Sequence, residues 1–476
     1  MTTTGRILGN SALLGALEAA GQLVNLAMVV LLTRRYGLEA LGVYSFAMAL
    51  GVLLATLAGL GATSYATREM ARDPARAAAL LAALAPPQRL AVLGGIVVLA
   101  LWSVSALAPA AAMAIALVAS SHLLTRLTNL YLAPSMAGER FQLVAWLGFG
   151  ERGLALAVFA ALAGAGLDFD VACLALPAAA LIALLIAHRQ ARRDLPGPWP
   201  RATPAASRTA VRAALPFLWT LLISTFYQRG GLLLLTAIAG TAAAGVFAAG
   251  ERLLVPCAML YGSFASAAFP AYSRLAHDAP RLQELATRCL RIVLLSTAAL
   301  AAMLAVLAPQ LVQLVWDLPV PEAVPVLRVL AIDIVLRASI ALLSIHCQAL
   351  GAEARAAHMR TAMLLAFVLL ALPASALAGS TGLAVAMLAS DLALVAGLWV
   401  LLRRQQHQGP TIAILLRPLL AAALAAWACT LLPPLPLPAL AATAAGTIAA
   451  ALLLSGSLRL QDFRLLRDLL RDRSPA

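Results

Sequence analysis

The sequence predicts an all-α integral membrane protein of about 14 transmembrane helices: two parallel six-helix lobes around a central cavity, followed by two C-terminal helices. Composition, the placement of arginine and an internal repeat lead to that class. Of 476 residues, 63% are hydrophobic and 11% charged, with a mean hydropathy of +0.93. A soluble domain carries about a quarter charged residues, so this chain cannot clothe its surface for water and takes lipid as its main solvent. The formal charge of +14 comes entirely from arginine, because the sequence contains no lysine. Most of those arginines occupy short gaps between apolar runs, which is the pattern of cytoplasmic loops and not of a nucleic-acid surface.

The repeat sets the architecture. Residues 31–50, LLTRRYGLEALGVYSFAMAL, return as residues 234–253, LLTAIAGTAAAGVFAAGERL, 203 positions later with 8 of 20 positions identical. Each copy ends an apolar run, passes a loop with Gly37 or Gly240, and opens the next run with Gly-Val-aromatic. A duplicated two-helix unit in so apolar a chain points to a transporter built from two related halves.

A span needs about 20 mostly apolar residues. That length places spans at 8–32, 41–64, 88–107, 110–132, 142–165, 170–187, 211–235, 244–268, 289–308, 327–349, 358–378, 381–402, 412–432 and 436–456. Arginine concentrates in gaps 65–87, 126–141, 188–210, 271–291, 350–360 and 403–417 and in the tail. The alternate gaps have none and carry Asp168, Asp170, Asp317 and Glu322 instead. This alternation predicts an even number of spans with both termini in the cytoplasm; Arg34 and Arg35, at the outer end of the first span, break it. The first span is read as retained and not as a cleaved signal peptide.

The predicted organisation is an N-terminal lobe over 1–187, a basic Pro-rich linker over 188–210 and a second lobe over 211–405. Two extra helices over 406–458 and a tail over 459–476 complete it. Six spans before the linker are an even number, so the two copies enter the membrane in the same direction. The tail segment LRLQDFRLLRDLLRDR puts Phe463, Leu466 and Leu470 on one face, as an amphipathic helix on the lipid surface or a solvated cap would. Cys173, Cys257, Cys289, Cys347 and Cys429 are isolated, with neither metal-ligand nor disulfide-framework spacing.

Charged and polar groups inside spans are costly, so they mark function or pairing. Glu18, Gln22 and Asn25 fall on one stripe of the first span. Thr220, Ser224 and Gln228 form a similar stripe in the seventh, beside Thr225 and Arg229, and the repeat offset maps Asn25 onto Gln228. The stripes read either as walls of a shared cavity or as interhelical packing bonds. Glu251 and Arg252 enter the eighth span from its outer end; with Arg229, Arg34 and Arg35 they form an arginine set suited to phosphate oxygens. The alternative is structural pairing, Arg229 with Glu251 and Arg252 with Glu18 or a headgroup. Asp333 and Arg337, four apart, can neutralise each other. Asp391 has no local partner, so Asp391 and Asp333 are the candidates for proton or cation coupling. Glu151 and Arg152, adjacent and divergent, each require a partner on another span. His122 reads as a titratable group or a packing histidine. No P-loop, HExxH, GxSxG or paired-carboxylate constellation is present, so no enzyme, catalytic residue, metal site or cofactor is expected.

The stretch from LLTRRYGLEALGVYSFAMAL through Gly59-Leu60-Gly61 to the basic segment after it resembles the opening of Wzx-type polysaccharide flippases. These belong to the multidrug/oligosaccharidyl-lipid/polysaccharide exporter superfamily. AAGVFAAGERL, FPAYSRLAHD, LPVPEAVPVLRVLAI and HCQALGAEARAAHMR continue the resemblance over nearly the whole chain. It implies two six-helix bundles forming a V around a cationic cavity, with two extra helices. The implied substrate is a glycan on undecaprenyl diphosphate, an O-antigen or exopolysaccharide unit, moved to the outer leaflet by alternating access. On that basis Arg229 and Arg252, with Arg34 and Arg35, are expected at the diphosphate, and Glu18, Gln22 and Asn25 at sugar hydroxyls. A polysaccharide polymerase is an expected partner and nucleic acid is not. Family members often carry an acidic residue after the seventh-span arginine position, whereas Gln228-Arg229-Gly230 has none. A multidrug/cation antiporter and a lipid II flippase remain as alternatives, as does a membrane scaffold.

Overall fold

The computed structural model describes residues 3–106, 108–197, 199–317, 320–406, 412–430 and 436–455; the tail at 459–476 lies outside the described residues. These residues are helical almost throughout and contain no strand. Backbone polar groups cannot go unpaired in hydrocarbon, and a helix satisfies its own. By contact the chain forms two compact units, 1–248 and 249–476.

The first unit begins with α1 (Thr3–Ala58), α2 (Ala62–Arg72), α3 (Ala77–Ser105), α4 (Pro109–Tyr131) and α5 (Ala133–Ala137). It continues with α6 (Phe141–Gly164), α7 (Phe169–Ala172), α8 (Ala175–Asp194) and most of α9 (Pro204–Arg252). The second holds α10 (Val255–Arg274), α11 (Ala279–Trp316), α12 (Ala323–Ala349), α13 (Glu353–Gln406), α14 (Ile412–Thr430) and α15 (Leu437–Leu454). Among the described residues, nine helices are long and apolar enough to cross a membrane. Three are double-length: α1 has 56 residues, α9 49 and α13 54. At 1.5 Å per residue these run to about 70–85 Å against a hydrocarbon core of about 30 Å, so each serves two spans and must turn. The twelve residues of α9 beyond Gly240 join α10 in the eighth span, and with α12 and α14 the helices supply the fourteen expected spans.

Two turns sit at the repeated glycines. Gly37 has φ 88° and ψ −179°, and Gly240 has φ 81° and ψ 178°. That backbone region is open to glycine and almost no other residue. A Cβ at either position would meet nothing within 4 Å, so the demand comes from the backbone alone. Gly37→Ala and Gly240→Ala should each cost about 1–3 kcal/mol of strain, read as a lowered unfolding temperature of the detergent-solubilised protein.

Just beyond each turn the chain crosses itself at a second pair of repeated glycines. A Cβ on Gly42 would overlap the Thr241 carbonyl oxygen, and one on Gly245 would overlap the Leu38 carbonyl oxygen. Offset by 203, Leu38 matches Thr241 and Gly42 matches Gly245, so the crossing is two-fold within itself. Small residues allow this backbone approach, the usual way helices associate where apolar burial offers no driving force.

Alanine stripes pack the rest. The buried face of α8 is Ala175, Ala179, Ala180, Ala183, Ala187 and Ala191, spaced by three and four, and it lies on α4. Outward faces are apolar: on α3, Leu90, Leu93, Val97, Val98, Leu101 and Trp102 are exposed, as suits contact with lipid. In the second unit α11, α14 and α15 share one core, around Ala302, Ala425 and Ala444, and α12 with α13 share another.

The linker is shorter than its sequence suggests. Helix α8 runs to Asp194 and α9 starts at Pro204, because the prolines cluster only between 196 and 204. Trp199 pins the intervening segment. Its indole donates to the Leu195 carbonyl at 3.2 Å, lies 4.1 Å beneath the Arg192 guanidinium and stacks on Tyr131 at 6.4 Å.

Candidate functional site

In the first unit the polar stripe of α1 meets α6. Glu18 Oε1 accepts from Gln22 Nε2 at 3.0 Å and from Arg152 Nη1 at 3.3 Å. Asn25 continues the stripe, half-buried. The partner of Glu18 on α6 is thus Arg152. Its neighbour Glu151 turns the other way and accepts from the Thr125 hydroxyl on α4 at 2.7 Å. Adjacent residues on a helix lie about 100° apart, which is why 151 and 152 serve different neighbours.

Helix α4 adds Arg126. Its Nη2 donates to Thr56 Oγ1 at 3.4 Å, and that hydroxyl lies 3.2 Å from Thr225 Oγ1 on α9. One guanidinium therefore ties into a chain of hydroxyls on α1 and α9. His122, a turn away on α4, lies 3.0 Å from Met48 Sδ. Gln228 donates to Ser224 at 3.1 Å and both are exposed, while Arg229 is half-buried. The helices of the first unit thus carry Arg126, Arg152 and Arg229 together with Gln22, Asn25, Thr56, Thr125 and Thr225.

Arg126 is the residue sequence reading missed. Charge counting put it in the cytoplasmic gap 126–141, yet α4 runs five residues further. The hydroxyl pair it serves, Thr56 and Thr225, is 169 positions apart and carries no local signal.

The hairpin arginines stand apart. Seventeen residues of helix, about 25 Å, separate Glu18 from Arg35. Arg35 Nε donates to the Ala163 carbonyl at 3.4 Å, and the Tyr36 hydroxyl donates to the Leu167 carbonyl at 2.7 Å. Arg35 thus serves a carbonyl in the last turn of α6, where a cation also suits the helix dipole, and Tyr36 one just beyond it. Arg34 is exposed.

The second unit holds a buried ion cluster. Arg337 Nε donates to Asp333 Oδ2 at 2.6 Å within α12 and lies 3.4 Å from Asp391 Oδ2 on α13. The carboxylate side chains are 1% and 4% exposed. Asp333 Oδ1 is buried without a hydrogen-bond donor. Beside this cluster a cavity of about 100 Å³ is lined by Glu251, Tyr261, Asp333 and Arg337, with Leu254 and Leu330. Glu251 and Arg252, both half-buried, close α9 at its break before α10. Among the described residues no group of three or more His, Cys, Asp or Glu side chains could hold a metal ion.

A family model described as polysaccharide biosynthesis protein matches residues 7–276, more than half of the chain. The chain belongs to that family. No curated protein matches the chain, but its fold recurs in solved structures. The lipid II flippase MurJ, in an inward closed conformation, superposes with a TM-score of 0.76 at 13% identity, over 96% of this chain and 100% of that one. A multidrug resistance MATE family transporter of the MOP superfamily, inward-facing, gives 0.59 at 14% identity over 81% and 94%. An outward-facing MATE transporter gives 0.53 at 15% identity over 84% and 95%. At such identities the likeness establishes the fold: this family member has the all-helical architecture of membrane transporters and flippases.

Proposed function

We propose that the chain is a flippase that moves an undecaprenyl-diphosphate-linked oligosaccharide, an O-antigen or exopolysaccharide repeat unit, from the inner to the outer leaflet of the bacterial cytoplasmic membrane by alternating access. The observation that carries this reading is that Arg126, Arg152 and Arg229 all lie within helices of the first unit of an apolar chain of this family, the first two bonded to polar groups of neighbouring helices. Guanidinium groups bind phosphate oxygens bidentately and stay charged under any accessible condition. Within spans they are too costly to be retained without a partner. Gln22 and Asn25, on the same stripe, offer donors and acceptors to sugar hydroxyls. Both termini lie in the cytoplasm on this reading, and a polysaccharide polymerase receives the product.

Asp333 and Asp391 are the proposed coupling groups, supported by two buried carboxylates that share one guanidinium. Rearrangement of this shared ion pair as the helices move would link transport to a proton or cation gradient. Asp391→Asn should then leave substrate binding intact and uncouple transport from the gradient, measured as translocation in proteoliposomes with and without an imposed pH difference.

Glycan display at the cell surface tests the whole reading, in a knockout complemented with wild type or with Arg126→Ala, Arg152→Ala or Arg229→Ala at matched membrane levels. Wild type should restore display, and the arginine variants should lose tenfold or more, roughly the worth of one charge-assisted bidentate contact. Normal display in the knockout together with drug sensitivity would favour a multidrug antiporter. Arrested cell-wall synthesis with display intact would favour a lipid II substrate.

A further inference from the structure

We propose that Glu18 is an internal competitor for the phosphate site: its carboxylate holds Arg152 and yields that guanidinium to an incoming diphosphate. The inference rests on the diphosphate reading above and adds to it the group that the substrate must displace.

Three features of α1 build the pairing. Glu18 supplies the carboxylate oxygen, 3.3 Å from Arg152 Nη1. Gln22, one turn on, donates to that same oxygen at 3.0 Å and holds it in place. Gly21 supplies a notch, since a Cβ there would overlap Arg152 Nη1. The guanidinium therefore lies against bare backbone beside its partner. A carboxylate in this position offers Arg152 what a phosphate oxygen offers, an anionic acceptor.

Accessibility separates this pair from the other interhelical ones. Arg140 with Asp194 and Arg337 with Asp391 each bury the carboxylate to 4% exposure. The Asp194 carboxylate also accepts from Ser135 and Gln190, so that pair is sealed. Glu18 is 53% and Arg152 39% exposed, so protein seals neither partner. An open ion pair contributes little, and a doubly charged diphosphate binds a guanidinium more strongly than a single carboxylate does. Exchange is therefore downhill for a diphosphate and unfavourable for a neutral lipid headgroup. Glu18 thus serves as a threshold that selects anionic headgroups.

The test is farnesyl diphosphate binding to the full chain in nanodiscs of zwitterionic lipid, measured by calorimetry for wild type, Glu18→Gln, Arg152→Ala and the double variant. Glu18→Gln should bind up to about fivefold tighter, the most an open pair is worth. Arg152→Ala should bind about tenfold weaker or worse. In the double variant the gain from Glu18→Gln should vanish. Should Arg152→Ala fold poorly, Arg152→Lys replaces it as background, and there the gain must shrink. If wild type binds and Glu18→Gln binds equally or more weakly, the exchange falls while the diphosphate reading stands. If neither wild type nor Glu18→Gln binds farnesyl diphosphate, the diphosphate reading itself falls and takes the exchange with it.

Discussion

Arg337→Ala should be among the most damaging single substitutions in the chain. It strips the Asp333 and Asp391 carboxylates, 1% and 4% exposed, of the guanidinium they share. Removing one partner of a buried ion pair leaves an uncompensated charge and costs about 3–5 kcal/mol. The expected result is a steep fall in folded yield and in the melting temperature of the solubilised protein. The same principle predicts rescue. Arg337→Ala combined with Asp333→Asn and Asp391→Asn removes the stranded charges and should recover most of the stability, though not gradient-coupled transport. A variant as stable as wild type after Arg337→Ala alone would show that the cluster does not hold α12 against α13.

Gly42→Leu and Gly245→Leu should disable the protein by a different route. Each puts a branched side chain where the opposing atom is a backbone carbonyl, Thr241 or Leu38. A flexible side chain could swing away; a helix backbone can yield only by moving the helix. Overpacking costs about 1–3 kcal/mol even where side chains can adjust, so these changes belong at or beyond that upper end. The two-fold character of the crossing predicts equal effects from the two substitutions. Gly94→Leu is the control, because a Cβ there meets nothing within 4 Å, and it should be tolerated. Folded yield by fluorescence-detected size exclusion separates the three. Equal yields for Gly42→Leu and Gly94→Leu would show that the crossing is not required for folding.

Much of this was legible in residue order because the membrane restricts the solutions. Runs of about 20 apolar residues have one available structure, so the fourteen expected spans find their helices. The repeat anticipated Gly37 and Gly240 as turning points, since it placed a glycine in both loops. The i, i+4 pair Asp333 and Arg337 was readable for the same local reason, as was the divergence of Glu151 from Arg152. The linker was overestimated because basic, polar composition does not prevent α8 from continuing to Asp194. The candidate site was only partly readable. Its polar residues announced themselves by being polar within spans, but their partners did not. Glu18 finds Arg152 across 134 positions, Arg126 finds Thr56 across 70, and Arg35 turns out to serve the carbonyl end of α6.

The sequence by itself determined the class, the number of spans, the duplicated hairpin and the polar side chains that lie within spans. Each of these follows from local properties: the hydropathy of a window, the spacing of residues on one helix, the identity of a residue at a turn. The tertiary structure alone decided which cation meets which anion, that Arg337 reaches Asp391 as well as Asp333, and that the paired glycines bring backbone against backbone. Those outcomes depend on which helix faces lie together. In a chain whose helices are lined with interchangeable alanine and leucine, no local pattern encodes that choice.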